Sequence, residues 1–216
     1  MDEYFISLMD FAGTAVFALT GAIKGIARRL DLLGVVVLGC TVGIGGGVIR
    51  DAVLGMTPAA ALSDSGYLLV CIVVSLIVFL LPRNRLVNHR KIIIYADAVG
   101  LGVFTAIGNT KAAQLGLPGI TVVLSGVFTA VGGGMLRDVL VCSVPYVLKY
   151  DFYATASLIG GLLYIFLSYT SIAESTLFLL VALIVFLLRI AAYHFHLHLP
   201  KYKSDTAKRG DKEGRR

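Results

Sequence analysis

The chain has no tryptophan, only 3 cysteines and 5 prolines among its 216 residues, and charged side chains make up just 15% of it. A soluble domain carries roughly 25% charged residues, so an ordinary water-covered globule is excluded. Cys40, Cys71 and Cys142 all fall in apolar stretches and form no Cys-x-x-Cys pair. They read as small packing residues, not as a redox or zinc motif. The sequence contains no phosphate-binding loop, nucleophile elbow or zinc-ligand pattern, so no enzyme class is expected, and neither a cofactor nor a metal. His194, His196 and His198 put two imidazoles on one helical face, but no carboxylate or thiol accompanies them. An interfacial anchor is the simpler account.

What the chain does have is apolar length. Hydrophobic residues reach 57% and mean hydropathy is +0.87. Spans of about 20 apolar residues read at 5–23, 33–54, 66–82, 92–110, 119–142, 152–169 and 175–195, which predicts an all-α membrane protein of seven transmembrane helices. The first span follows Met1-Asp2-Glu3-Tyr4, acidic where a cleaved signal peptide is basic, and is expected to stay in the mature fold.

Gly45-Gly46-Gly47 followed by Arg50-Asp51 recurs 87 residues later as Gly132-Gly133-Gly134 followed by Arg137-Asp138. The same offset matches Asp10 to Asp97, Gly13 to Gly100, Phe17 to Phe104, Gly21 to Gly108, Lys24 to Lys111, Gly39 to Gly126 and Pro58 to Pro145. The chain is an internal duplication: residues 4–82 form one three-helix repeat, 91–170 a second, and 174–198 a seventh helix outside them. Three spans per repeat is odd, so the second repeat enters the membrane inverted. Lys24, Arg28, Arg29, Arg83, Arg85, Arg90, Lys91 and Lys149 crowd the loops after the first, third and fifth spans. The positive-inside rule then puts the amino terminus outside and the carboxyl terminus in the cytoplasm of the cell membrane. Only the loop near Lys111 disagrees. The tail, 199–216, is basic and without apolar periodicity; it is expected to be disordered and to meet anionic lipid, not nucleic acid.

Glycine in mid-helix costs about 1 kcal/mol relative to alanine. Two readings follow for the triple glycines. They break the second and fifth helices and expose backbone to an ion path, or they allow close helix packing, for which Gly39, Gly43 and Gly47 are correctly spaced. The first reading predicts non-helical or bent glycines. Asp10 and Arg50 lie at matched depths, as do Asp97 and Arg137, so each pair is expected to form a salt bridge, either as a path lining or as an architectural clamp. Neighbours in a helix point about 100° apart, so Arg50 is not expected to pair with Asp51. Thr14, Thr20, Thr41, Thr105, Ser125 and Thr129 offer hydroxyls. Four aspartates against two arginines leave a net negative charge that favours cations; if the helix-terminal Lys24 and Lys111 also reach the path, that excess disappears.

The doubled Asp-x-x-Gly-x-x-x-Phe and Gly-Gly-Gly-x-x-Arg-Asp, with a following proline, resemble the prokaryotic trimeric intracellular cation (TRIC) channel family, a sequence group also labelled a glycine-transporter domain. The likeness runs over roughly residues 4–195. It implies a homotrimer in lipid, one hydrophilic pore per protomer kinked at the glycines of the second and fifth helices, and passage of K⁺ or Na⁺. The ion path would be lined by Gly45, Gly46, Gly47, Arg50, Asp51, Asp10 and their counterparts Gly132, Gly133, Gly134, Arg137, Asp138, Asp97. Arg-Asp stands where animal members carry lysine-glutamate, so their lipid gating and Ca²⁺ regulation are not carried over. A secondary transporter of glycine or a similar small solute is the alternative, and a scaffold without transport the third. Gly21 with Gly25, and Gly160 with Tyr164, are the small-residue faces expected between chains.

Overall fold

A computed structural model describes residues 2–82, 89–149, 152–195 and 197. The expected tail, 199–216, and His196 and His198 lie outside them. The described residues form nine helices: α1 Asp2–Ala27, α2 Leu32–Val53, α3 Ala60–Ser63, α4 Ser65–Leu80, α5 His89–Gln114, α6 Gly119–Leu140, α7 Tyr146–Lys149, α8 Ala154–Ser168 and α9 Glu174–His194. Five of them, α1, α2, α5, α6 and α9, are long and apolar enough to cross a membrane, and α4 and α8 are shorter apolar helices. The protein is an all-helical membrane protein. The four-residue α3 and α7 follow the glycine helices and are too short to read from apolar periodicity.

Helix ends show why the chain folds where it does. Asp31 caps α2, its carboxylate accepting from the Gly34 amide at 2.7 Å, as N-cap residues do for amides that lack a helical partner. Pro118, the matching residue of the second repeat, precedes α6 without a side-chain cap. All four residues with left-handed φ among those described are repeat mates: Arg29 (58°) with Gly116 (68°), and Gly55 (72°) with Cys142 (52°). Each closes a helix by the six-to-one bond of a Schellman turn. Leu30 N–H reaches Gly25 C=O at 3.0 Å and Leu117 reaches Ala112 at 3.3 Å; Met56 reaches Asp51 and Ser143 reaches Asp138, both at 2.8 Å. The duplication seen in the sequence is thus written into the backbone turn by turn.

Glycines set how the helices pack. A Cβ on Gly21 would stand 2.9 Å from Leu38 C=O and 3.0 Å from Gly39 Cα, and one on Gly108 would stand 2.6 Å from Ser125 C=O and 2.7 Å from Gly126 Cα. The same close approach therefore joins α1 to α2 and α5 to α6. Gly25 lies against Val35, Gly160 against Val185, and Tyr164 is buried. These small faces are consumed inside the chain, so the expectation that they lie between chains is corrected.

The triple glycines correct a second expectation. Both α2 and α6 run as unbroken α-helices through them. Gly46 packs against Thr129 C=O and lies 3.4 Å from the Gly133 amide, while Gly133 faces Val42 C=O at 2.5 Å, all measured to the position of an added Cβ. Repeat mates Gly46 and Gly133 are thus in contact where α2 crosses α6. Glycine serves here to let two backbones touch, the small-residue packing of membrane helices, and the helical hydrogen bonds stay intact.

Candidate functional site

The charged residues gather in two clusters. In the first, the Lys111 ammonium lies 3.5 Å from Asp10, and Arg50 turns back on its own neighbour, with Nε 2.7 Å from Asp51 Oδ1. The other Asp51 oxygen accepts from the Ala60 amide at 2.9 Å, tying the end of α2 to α3. Asp10, Gly47, Arg50, Tyr67 and Phe104 line a cavity of 10 Å³, the lower limit for one water. Arg50 Nη1 is buried without a hydrogen-bond partner among the described residues.

In the second cluster Arg137 is held from several sides. Its Nη1 donates to Asp97 at 2.8 Å and to Thr20 Oγ1 at 3.3 Å, and its Nε to Asp138 at 3.1 Å. Asp138 also accepts from the Tyr146 amide at 2.9 Å and stands 3.6 Å from the Lys24 ammonium. The Tyr153 hydroxyl, Asp97 and Arg137 meet around Gly134. Beyond Lys24 a cavity of 730 Å³ opens, lined by Arg28, Arg90, Ser143, Tyr146 and Tyr193.

Of the two expected salt bridges, Asp97 with Arg137 forms and Asp10 with Arg50 does not. Asp10 is taken by Lys111 instead, although it shares a cavity with Arg50. The expectation that Arg50 does not pair with Asp51 is also corrected, and Arg137 makes the same contact with Asp138. The 100° rule describes where side chains leave the helix; a guanidinium on a three-carbon stem at the last turn can reach round to the adjacent carboxylate. Both lysines pair with aspartates, so each cluster sums to zero among Asp10, Arg50, Asp51 and Lys111, and among Asp97, Arg137, Asp138 and Lys24. No net negative charge is left to favour cations.

Between the clusters lies an apolar layer. Phe17 is seven residues from both Asp10 and Lys24, and Phe104 seven from both Asp97 and Lys111. Seven residues is nearly two turns, so Asp, Phe and Lys share one stripe on α1 and another on α5. The two phenyl rings, both buried, are 4.9 Å apart. Packing is reciprocal: Gly13 makes room for Phe104 and Gly100 for Phe17. Along α1 the clusters stand about 21 Å apart, with the rings midway.

Sequence reasoning missed Tyr67 and Tyr153 because the repeat offset slips from 87 to 86 in the loop after Pro58. It missed the pair of rings although Asp, Phe and Lys are spaced by seven in both repeats. Of the hydroxyls, Thr20 accepts from Arg137 and itself donates to Phe17 C=O, and Thr41, Thr105 and Thr129 likewise bond back to their own helices.

The chain matches the family described as "Glycine transporter" over residues 7–83 and 94–169, one stretch in each repeat. It is 38% identical over 198 residues to the UPF0126 inner membrane protein YadS of Escherichia coli, covering 91% of this chain and 96% of that protein. Among solved structures, one from work on conductance through TRIC cation channels superposes with TM-score 0.83 at 38% identity, covering 92% of this chain and 98% of the other. The TRIC channel orthologue of Rhodobacter sphaeroides does so at 0.83 and 33% identity, over 89% and 99%. These relatives are membrane proteins, and the solved ones are channels. By both sequence and fold the chain belongs to the prokaryotic TRIC channel family, the group described as glycine transporters and UPF0126 membrane proteins.

Proposed function

We propose that this protein is a monovalent-cation channel of the cell membrane, conducting K⁺ or Na⁺, with seven membrane helices in two inverted repeats plus α9. Each protomer of a homotrimer carries its own path, along α1, α2, α5 and α6. The observation that carries this reading is the double stripe of Asp, Phe and Lys on α1 and α5. It places polar groups at two depths on one line and a pair of facing phenyl rings between them, the layout of a path closed by an apolar constriction. The likeness to TRIC cation channels supports the ion class, since the clusters themselves are neutral. The amino terminus faces outward and the carboxyl terminus the cytoplasm, so the second cluster and its 730 Å³ cavity form the cytoplasmic mouth. Nothing in the chain resembles the carbonyl filter that strips K⁺ of water, so discrimination between K⁺ and Na⁺ is weak.

Purified protein in a planar bilayer tests this. Unitary K⁺ steps are expected, with a reversal potential near that of the cation in a KCl gradient, and Phe104→Ala is expected to raise the current by opening the constriction. The family description favours a second reading, uptake of glycine. Saturable glycine transport into vesicles, without unitary steps, would replace the channel with that reading.

A further inference from the structure

Arg189 is a charged residue on the seventh helix, outside the duplication, yet it is only 5% exposed. It sits on the stripe of α9 that faces the core, with Phe178, Val181, Val185 and Ala192. An arginine inside a membrane bundle is costly and usually marks function. Its guanidinium stands over the face of Tyr153, 5.0 Å from the ring centroid. Its Nε has no hydrogen-bond partner among the described residues.

Tyr153 is the residue whose hydroxyl lies beside Asp97 and Arg137 at Gly134, buried and with no hydrogen-bond partner among the described residues. A cation over one face fixes the plane of the ring, and the plane fixes where the hydroxyl points. In the first repeat the matching Tyr67 has no such partner among the described residues: it stacks flat on Phe11, centroids 4.2 Å apart at 10°. One tyrosine is therefore held by a neutral ring and the other by a charge. The difference comes from α9, which packs on α5 and α8 and has no counterpart in the first repeat.

We infer that Arg189 is a positioning residue for the ion path: by holding the Tyr153 ring it keeps the Asp97 and Arg137 pair closed, so the seventh helix controls the second mouth alone. This rests on the channel reading for its functional consequence, but the contact itself can be measured without it. A desolvated cation over an aromatic ring is worth up to about 2 kcal/mol, which corresponds to roughly thirtyfold in an equilibrium. Releasing it should raise open probability by about tenfold or more.

The test uses full-length protein labelled with 3-fluorotyrosine in detergent and in lipid vesicles, with the Tyr153 resonance identified by its loss in Tyr153→Phe. Arg189→Gln should shift and narrow that ¹⁹F resonance, whereas Arg189→Lys, which keeps a cation, should move it far less. In bilayers Arg189→Gln should raise open probability, and the same substitution in a Tyr153→Leu background should add nothing. An unchanged ¹⁹F resonance in Arg189→Gln overturns the inference whether or not current flows. So does an equal rise in open probability in both backgrounds, which would mean that Arg189 acts on the mouth without Tyr153. A wild-type protein that passes no current but shows the ¹⁹F shift would overturn the channel reading and leave the Arg189 contact standing. If Arg189→Gln fails to fold, the Arg189→Lys protein decides: a resonance as far from wild type as that of denatured protein refutes the positioning role.

Discussion

The two charge clusters are built from repeat mates, yet they pair differently. Arg137 bridges to Asp97 across helices, while Arg50 folds onto its neighbour Asp51. Besides Lys111, which takes Asp10, one residue on a facing helix differs. Arg137 has Thr20 to receive it, but the mate of Thr20 in the second repeat is Ile107, which offers Arg50 no acceptor. A motif therefore fixes which charges are present, and its neighbours fix which of them meet. Near the second cluster stand in addition Arg189 and an open basic cavity, whereas a space of 10 Å³ lies against the first.

The largest expected effects come from the glycines. Gly46→Ala drives a methyl into Thr129 C=O, a backbone clash that cannot relax through a rotamer, and should cost upwards of about 3 kcal/mol; trimer yield after detergent extraction should fall along with conductance. Gly47→Ala has nothing nearer than Arg50 Nη2 at 3.7 Å, but its mate Gly134→Ala meets the Tyr153 hydroxyl at 2.8 Å. Melting of the two proteins should therefore separate them, Gly134→Ala being the less stable. Equal melting would break the contrast between the halves.

Carboxylate neutralisation comes next. Asp97→Asn leaves the buried Arg137 short of one of its two carboxylates and should cost about 3 kcal/mol. Asp10→Asn faces a lysine that is 20% exposed, where water replaces the carboxylate, and about 1 kcal/mol is expected. Urea or thermal unfolding in one detergent compares them directly, and the ranking fails if Asp10→Asn is the worse.

Thr20→Val removes an acceptor from a charged donor and should destabilise by about 1.5 kcal/mol. The reverse graft, Ile107→Thr, should draw Arg50 off Asp51 toward Asp10; a structure of that protein with Arg50 unmoved would refute the role given to Thr20. The smallest effect is a gain. Cys142 holds a left-handed φ of 52° where its mate is Gly55, so Cys142→Gly should stabilise by up to about 1 kcal/mol, read as a small rise in Tm.

Most of the fold was legible in the sequence because lipid forces apolar length on every span, and the predicted spans 33–54 and 119–142 nearly coincide with α2 and α6. The duplication was legible too. The meaning of the triple glycines was not: a missing side chain permits both a break and a contact, and what decides is a partner at the same depth. Gly46 finds that partner in its own mate, Gly133. The Asp97 pair was legible from depth alone, and the Asp10 pair was misread because depth says nothing of Lys111 reaching back from α5. Arg189 could have been found by its place among Phe178, Val181 and Val185 on one helical face.

The contact of Gly46 with Gly133 makes α2 and α6 a pair of crossed levers with a shared fulcrum. On each helix the fulcrum divides the length unequally, about 21 Å toward the first residue and about 10 Å toward the last. Arg50 and Arg137 sit four residues along the short arms, about 6 Å from the pivot. A tilt of either lever sweeps its far end widely but barely displaces its arginine. Rocking of this kind would carry the long-arm ends while both guanidiniums, and the Phe17 ring that lies against Gly133 at the pivot, stayed nearly still.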